Sequence, residues 1–354
     1  MVELRIMTGN CYAKKNVLIT GGAGFLGSNL AQVLSRLDAN ITVVDSFHAD
    51  YGGNEFNLTG LSDSGRFRLV RGDITDQNLM CELAAEADYV FHIAAQCSHV
   101  DSMTNPMMDV DFNCRGTLSV LEGVRRSARK PVVVYAGTRA IIGAPLHLPA
   151  TELTLPNPVD IYGVNKLAAE LYGSVYARVH GVPVVSLRLT NSYGPRHQMK
   201  NGKYGILNWF IGQALQGKTI KVFGTGQQLR DYLYVDDAIG AFIKAGDFGL
   251  RLRDEKVSCP SAQLAGTKIP FVVFNVGSGR GIPFVDVARL IVKQAGSKLE
   301  MVSWPPDRAA IETGDFISDG TTTLAGLAWQ ATTSLEQGLD KTFAFYREHL
   351  KKYL

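Results

Sequence analysis

The chain has 354 residues, 46% hydrophobic and 19% charged, which is ordinary globular composition and enough for one large α/β unit or two unequal domains. A net charge of +3 is too small to indicate a nucleic-acid partner. The five cysteines show no CxxC spacing and the seven histidines form no HxxxH pair, which argues against disulfides and a metal site. No apolar run approaches the roughly 20 residues of a membrane span, and the N-terminus lacks a signal-peptide core. We therefore expect a soluble cytoplasmic protein with no membrane partner.

From residue 16 to about 190, short apolar runs alternate with longer amphipathic stretches. The runs are VLIT, ITVVD, FRLV, YVFHIA, VVVYAG and VVSLRL, and apolar residues recur at helical spacing in stretches such as 28–37 and 111–127. Strands that are apolar on both faces and alternate with helices are typical of a parallel sheet covered on both sides. The pattern predicts an α/β fold with a doubly wound sheet.

The pattern changes after residue 195, where clean strands are fewer and glycine and aromatic residues more frequent. We predict a dinucleotide-binding domain over 16–190, to which part of 225–280 returns, and a smaller, discontinuous substrate-binding lobe over 191–350. A helix is expected over about 285–295. The stretch 247–269 has no clear period and predicts a long loop, either functional or mobile.

A glycine-rich turn follows the first strand in VLITGGAGFLGSNLAQVL, with Gly21, Gly24 and Gly27 spaced three apart. These glycines allow a tight turn, let backbone N–H groups approach a pyrophosphate, and let the helix pack closely on the strand. Asp45 ends the next strand, 18 residues after Gly27. Its carboxylate would bind a ribose 2′-OH and repel a 2′-phosphate, which favours NAD over NADP, although it could simply cap a turn. Asp73 follows the third strand and could reach the adenine or serve only the fold.

The strand over 132–138 ends in Thr138, and ligands bind at the carboxyl ends of strands in such sheets. Tyr162 and Lys166 are four residues apart on a predicted helix and share one face. An ammonium beside a phenol lowers the phenol pKa from about 10 towards neutrality, so we expect Tyr162 to take an alcohol proton while hydride leaves to the cofactor. Thr138 would donate a hydrogen bond to the reacting oxygen. A YxxxK pair is common by itself, and its position after the glycine turn gives it weight.

A set of motifs between about residues 16 and 345 resembles the extended short-chain dehydrogenase/reductases, and more narrowly their nucleotide-sugar epimerase/dehydratase branch. These motifs are TGGAGFLG, GDI, HIAAQ, NCRGT, YGVNK, LRLTNSYGPR and LRDYLYVDD. The resemblance implies a Rossmann-type domain with a small C-terminal lobe and bound NAD. It also implies a nucleotide-diphosphate sugar as substrate, transiently oxidised to a 4-keto species.

The resemblance also implies roles for individual residues. The catalytic set would be Thr138, Tyr162 and Lys166. The cofactor would be bound by Tyr162 and Lys166 together with Gly21, Gly24, Phe25, Leu26, Asp45, Asp73, Ile74, Ala94 and, near the nicotinamide ribose, Asn113. The substrate would be bound by Asn191, by Phe223 on the nucleobase, and by Arg230 and Arg308 on the diphosphate, although each of these four could instead be structural.

The residues after Thr138 help to choose the reaction. Dehydratases of the branch show Thr-Asp-Glu here and decarboxylases place a glutamate two residues after the hydroxyl, whereas this chain has Arg139 and Ala140. C4 epimerisation needs no such carboxylate, so we expect an NAD-dependent C4 epimerase acting on a UDP-hexose or UDP-hexuronate. The alternatives are decarboxylation, C2 epimerisation, 4,6-dehydration, net reduction, or a non-catalytic NAD-binding module. Arg139 is either a surface residue or a partner for a substrate carboxylate or phosphate.

Members of this branch often dimerise through two helices of each subunit, which form a four-helix bundle. The stretches 107–124 and 166–180 are the candidates here, although their apolar faces could equally pack within the subunit. We expect a homodimer.

Overall fold

The structure, a computed structural model, describes residues 10–62, 65–254, 263–264 and 267–354. The strands are β1 Asn16–Thr20, β2 Asn40–Asp45, β3 Phe67–Arg71, β4 Tyr89–His92, β5 Val132–Thr138, β6 Val184–Leu189, β7 Asn191–Tyr193, β8 Ile220–Phe223, β9 Leu229–Tyr234, β10 Gln263–Leu264, β11 Thr267–Lys268, β12 Phe271–Val276, β13 Gly281–Pro283 and β14 Leu299–Val302.

The helices are α1 Phe25–Arg36, α2 Gln77–Glu86, α3 His99–Thr104, α4 Pro106–Val110, α5 Gly116–Arg126, α6 Ile161–His180, α7 Ile206–Leu215, α8 Val235–Arg253, α9 Phe284–Ala295, α10 Pro306–Ala309, α11 Thr321–Leu327 and α12 Leu335–His349. A π-helical turn over Asp111–Arg115 precedes α5, and a short 3-10 helix over Arg139–Ile141 follows β5.

Seven parallel strands form the main sheet in the order β12-β6-β5-β4-β1-β2-β3. The six apolar runs of the sequence supply six of these strands. The order reverses between β1 and β4, so their carboxyl ends diverge and leave a crevice for a ligand. The predicted doubly wound sheet is confirmed.

Neighbouring residues of the central strands point into two separate apolar cores, as a sheet covered on both faces requires. Ile19 and Val134 face a core shared with α1 and α8. Leu18 and Val133, one position earlier on the same strands, face a core shared with α2 and α5. This double burial explains why the runs are apolar at almost every position.

The later part of the chain forms smaller sheets beside the main one. A three-stranded sheet has the order β13-β9-β7, and a parallel pair, β14-β8, is packed by α7 and α9. The predicted helix over 285–295 is confirmed as α9. Two later elements, β12 and α8, pack onto the main sheet, and the division into two domains stays a prediction.

The loop predicted over 247–269 is wrong at its beginning, because α8 continues to Arg253. Phe248 and Leu252, four residues apart, are buried there, and Asp247 forms an ion pair with Arg251 on the outer face. The aspartate and arginines hid this period in the sequence. Residues 255–262 and 265–266 lie outside the described residues, and β10 pairs with β11.

None of the helices in the described part of the chain is long and apolar enough to cross a bilayer. Within the same residues, no group of three or more His, Cys, Asp or Glu side chains is placed to hold a metal ion.

Candidate active site

A cavity of about 220 Å³ lies in the crevice at the carboxyl ends of β1, β2 and β4. Most of the residues predicted to bind the cofactor line it, namely Gly21, Gly24, Phe25, Leu26, Asp45, Asp73, Ile74 and Ala94. These residues come from four separate parts of the sequence, and the sheet topology brings them together.

The glycine turn packs directly against the backbone that follows β4, and the start of α1 is open. Gly21 has a φ of +67°, and a Cβ there would lie 2.8 Å from the Cα of Ala94. Gly24 is the N-cap of α1, and no side chain caps this end of the helix. The first N–H groups of α1 are therefore available to an anionic group such as a pyrophosphate.

Asp45 reaches the wall of the same cavity. Its carboxylate accepts hydrogen bonds from the backbone N–H groups of Ala23 at 3.0 Å and Phe47 at 2.9 Å, which fix its orientation. Burial raises the pKa of Asp45, and the two backbone hydrogen bonds oppose this shift. No lysine or arginine is among the described residues that line this cavity. A carboxylate without a nearby cation fits a free ribose hydroxyl, and therefore NAD, better than a 2′-phosphate.

Asp73 and Asn113 are both held by the protein, but only one lies at the cavity. Asp73 accepts hydrogen bonds from the N–H and hydroxyl of Thr75 at 2.8 Å and remains at the wall. Asn113 is buried and donates to the carbonyl of Gln96 at 3.0 Å and to Asp109 at 2.9 Å. It lines neither this cavity nor the adjoining one. The structure therefore does not bring Asn113 together with the other predicted cofactor residues.

A second cavity, of about 560 Å³, adjoins the first, and Phe25, Leu26, Cys97 and His197 line both. Every predicted catalytic and substrate-binding residue lines this second cavity, which we call the substrate cavity: Thr138, Tyr162, Lys166, Asn191, Phe223, Arg230 and Arg308. The two cavities thus meet between the predicted cofactor residues and the predicted substrate residues.

Thr138, Tyr162 and Lys166 converge where β5 meets α6. The Thr138 hydroxyl accepts a hydrogen bond from the N–H of Ala140 at 3.1 Å. The Lys166 ammonium donates to the carbonyl of Ala136 at 2.8 Å and lies 4.3 Å from the ring centroid of Tyr135. The carbonyl and the ring thus position the ammonium at the cavity wall.

The expected lowering of the Tyr162 pKa does not occur in the protein alone. Burial raises the pKa of Tyr162 well above its usual range, the nearby Cys97 thiol raises it further, and a hydrogen bond with Thr138 opposes the shift. Burial also lowers the pKa of Lys166 to about 8. Loss of water around the phenol and the ammonium is thus the largest influence on both pKa values.

One end of the substrate cavity holds predicted substrate residues whose partners the sequence did not indicate. Arg230 is buried and forms an ion pair with Glu312. The ring of Phe223 lies 5.4 Å from that of Trp304, centroid to centroid, and both rings line the cavity. Arg308 lies 3.9 Å from Asp307. This end offers flat aromatic surface beside cationic groups.

The suggestion that Arg139 is a surface residue is wrong, because its side chain lines the substrate cavity. Its guanidinium donates to Asn191 Oδ1 at 3.1 Å and to the Thr313 hydroxyl at 3.1 Å. It also stacks over Phe316, 5.2 Å from the ring centroid. Burial and the neighbouring Arg230 lower the pKa of Arg139 to about 10.

The sequence reasoning missed a histidine in the same wall. His99 begins α3 and lines the substrate cavity, with Nδ1 2.5 Å from Asp160 Oδ2. Asp160 is the N-cap of α6 and accepts a hydrogen bond from the N–H of Gly163 at 2.7 Å. The only available signal was an aspartate directly before the predicted helix, which indicates an N-cap but not its histidine partner.

Comparison with known proteins gives consistent matches over the whole chain. Residues 17–253 match the NAD dependent epimerase/dehydratase family. The chain is 30% identical over 331 residues to the UDP-glucose 4-epimerase of Mycolicibacterium smegmatis, covering 93% of this chain and 98% of that protein. It is 29% identical over 345 residues to UDP-glucuronic acid decarboxylase 1 of Xenopus tropicalis, covering 96% and 73%. The structure of UDP-glucose 4-epimerase from Thermotoga maritima with UDP-glucose matches with a TM-score of 0.80 at 29% identity, covering 95% of this chain and 99% of that chain.

Proposed function

The chain belongs to the NAD-dependent epimerase/dehydratase family, whose members act on nucleotide sugars, and from this membership we propose that it is a redox-neutral C4 epimerase of a nucleotide-diphosphate sugar. Similar proteins are named for UDP-glucose and for UDP-glucuronic acid. We therefore take a UDP-hexose or a UDP-hexuronate as the substrate. The alternatives within the family are decarboxylation, C2 epimerisation and 4,6-dehydration.

The observation that carries this proposal is the lack of a free carboxylate in the substrate cavity. Among the described lining residues Glu312 is the single carboxylate, and Arg230 holds it in an ion pair. The position two residues after Thr138 is Ala140, which is buried. The dehydratases and decarboxylases that this chain resembles carry a carboxylate just after that hydroxyl, whereas here the ionisable ring beside the phenol is His99, which Asp160 holds. C4 epimerisation needs only one proton acceptor and a hydride acceptor.

In the proposed reaction, Tyr162 accepts the proton of the sugar 4-hydroxyl as the C4–H bond breaks and returns it when that bond re-forms. When bound, NAD supplies the hydride acceptor and, after the keto sugar has rotated to present its other face, the hydride donor. The one proton of the Thr138 hydroxyl favours the Tyr162 phenolate against the effect of burial in the free protein, and it would be donated to the sugar oxygen once the substrate is bound. Lys166 keeps a positive charge at the same wall.

We assign nucleotide binding to the aromatic and cationic groups that line one end of the substrate cavity. Phe223 would stack on the base, with Trp304 extending the same surface. Arg230 and Arg308 would bind the diphosphate, for which guanidinium groups are well suited. Asn191 has its amide oxygen occupied by Arg139, which leaves its N–H₂ group to donate to the sugar.

We also infer a homodimer, because α4 and α6 present apolar side chains to solvent. On α6, Val164, Leu171, Val175 and Val179 follow helical spacing and are each about half exposed or more. Met107, on α4, is 69% exposed. An apolar stripe on two adjacent helices is the kind of self-complementary patch that a two-fold axis buries.

The experiment that tests the reaction class is incubation of the NAD-loaded protein with a panel of UDP-, GDP-, CDP- and dTDP-sugars, without added reductant. The products are analysed by NMR of the sugar ring and by mass. The proposal predicts a new isomer of unchanged mass. Loss of 44 or 18 mass units, about that of CO₂ or water, would assign the chain to the decarboxylases or dehydratases instead.

A further inference from the structure

Arg139 is a partly buried cation that the proposed mechanism leaves without an ionic partner. No carboxylate of the described residues lies within ion-pair distance of its guanidinium. Two of its N–H groups are held by Asn191 and Thr313, and the others form no hydrogen bond within the described part of the chain. Buried charges in proteins are normally paired, so a guanidinium held in this way is poised for an anionic ligand.

The charge of the substrate cavity supports the same conclusion. Its described lining contains six lysine or arginine side chains and one carboxylate, Glu312. Glu312 already neutralises Arg230. Lys203, Lys221 and Arg308 have carboxylate partners just outside the lining, so only Lys166 and Arg139 of these cations are without an ion pair among the described residues. Lys166 is assigned to the reaction, which leaves Arg139 as the lining cation with no assigned anion.

The position of Arg139 indicates where that anion would be. Its guanidinium donates to Asn191, which we assign to the sugar, at 3.1 Å. It also donates to Thr313, which directly follows Glu312, the ion-pair partner of Arg230. The guanidinium thus lies between the groups assigned to the sugar and those assigned to the diphosphate. A carboxylate on the sugar ring would meet it there with two parallel hydrogen bonds.

We propose that Arg139 binds a carboxylate carried by the sugar, so that the preferred substrate of this site is a nucleotide-diphosphate hexuronate rather than a neutral hexose. This inference rests on the proposed function, because it assumes that the sugar reacts beside Thr138. It adds a residue that sets specificity to the residues that perform the reaction.

The test compares two ligands that differ only at C6, UDP-glucuronate and UDP-glucose. Their dissociation constants are measured by calorimetry on the NAD-loaded protein, with UDP alone as a third ligand. We expect the wild-type protein to bind UDP-glucuronate at least about tenfold more tightly than UDP-glucose, as a charged hydrogen-bonded pair would give. Arg139→Gln should remove this difference, and Arg139→Lys, which keeps the charge but not the planar fork, should restore part of it.

Lys221→Gln is the matched control, because it removes another cation from the same lining, one that is exposed and 4.0 Å from Glu300. It should weaken both ligands by the same factor. Equal wild-type affinities for the two ligands would overturn the inference, as would a preference that survives Arg139→Gln. Equal weakening of UDP, UDP-glucose and UDP-glucuronate by Arg139→Gln would assign the residue to the diphosphate and also overturn it.

Turnover of both sugars, measured on the same preparations, separates this inference from the proposed function. Epimerisation of UDP-glucose without tighter binding of UDP-glucuronate would leave the function intact and remove the inference. An Arg139-dependent preference without turnover of either sugar would leave the inference intact and remove the proposed function. If Arg139→Gln does not fold, the affinities of the wild type and of Arg139→Lys for the two ligands still test whether Arg139 binds the carboxylate.

Discussion

His99 and Tyr162 pack edge to face in the wall of the substrate cavity, with their ring centroids 5.1 Å apart and their planes at 81°. Asp160 connects the two. One of its oxygens lies 2.5 Å from the His99 imidazole, and the other caps the first turn of α6, which carries Tyr162. A single buried carboxylate thus holds both the histidine and the helix that positions the phenol.

We predict that His99 positions the phenol through this ring contact. His99→Ala should lower kcat by about tenfold or more, because a small displacement of a reacting group is costly. His99→Phe keeps the edge contact and should retain most of kcat, with KM for the sugar changed little. Steady-state kinetics of the two variants measure this, and equal losses of kcat in both would contradict a role through ring packing.

The second prediction concerns the pH dependence of stability in the cofactor-free protein. Burial lowers the pKa of Lys166 from 10.5 to about 8. Between these pH values the unfolded chain binds more protons at this site than the native chain, so the contribution of Lys166 to the free energy of unfolding rises with pH. Below pH 8 that contribution is unfavourable.

Lys166→Met lacks this titration, while the tyrosines of the unfolded chain titrate alike in both proteins. The free energy of unfolding of the wild type should therefore increase relative to Lys166→Met by up to about 3 kcal/mol between pH 8 and 10.5. Denaturant titrations at several pH values measure this difference. A difference that stays constant with pH would contradict the lowered pKa.

The third prediction tests the glycine turn. Gly21→Ala places a Cβ 2.8 Å from the Cα of Ala94 at a positive φ. We expect it to weaken NAD binding by more than about tenfold and to destabilise the protein beyond the roughly 1–2 kcal/mol of the left-handed backbone alone. Gly60→Ala is the matched control, since Gly60 has a φ of +83° and nothing within 4 Å of the added Cβ. It should show only the backbone cost, and equal effects of both variants on NAD binding would refute the close-approach argument.

The fourth prediction concerns the homodimer. Leu171→Glu combined with Val175→Glu puts two charges on the exposed stripe of α6 and should convert a dimer into a monomer, because unpaired charge in an interface is costly. Leu153→Glu changes a loop leucine that is 85% exposed and lies outside this stripe, and should leave the dimer intact. Light scattering after size exclusion reports the mass. A wild-type monomer would rule out the inferred dimer.

The parts of the fold that depend on local pattern could be predicted from the sequence. Strands such as β5 are apolar throughout because both of their faces are buried. Fixed spacing in the sequence identifies the glycine turn with Asp45 and the pair Tyr162 and Lys166. Each of these signals lies within a short segment of chain, and each corresponds to residues that line one of the two cavities.

The relationships that could not be predicted join distant parts of the chain. The ion pair between Arg230 and Glu312 spans 82 residues, and the contact between His99 and Asp160 spans 61. No spacing rule encodes such pairs, because they arise when separate elements pack. The raised pKa of Tyr162 had the same origin, since the sequence shows a nearby lysine but not the loss of water around the phenol.

The most direct test of the central claim follows deuterium placed at C4 of UDP-glucose and UDP-glucuronate during conversion in ordinary water. Tyr162→Phe serves as the inactive variant, with turnover expected to fall by about 100-fold or more. Tyr176→Phe is its control on the same helix, because Tyr176 lines neither cavity and its hydroxyl donates to Glu122 of α5 at 2.7 Å. C4 epimerisation by hydride transfer to and from the cofactor predicts an epimer that keeps its deuterium at C4, with unchanged mass, in the wild type and in Tyr176→Phe. Loss of the deuterium to water, a change of configuration at another carbon, or full activity in Tyr162→Phe would contradict it.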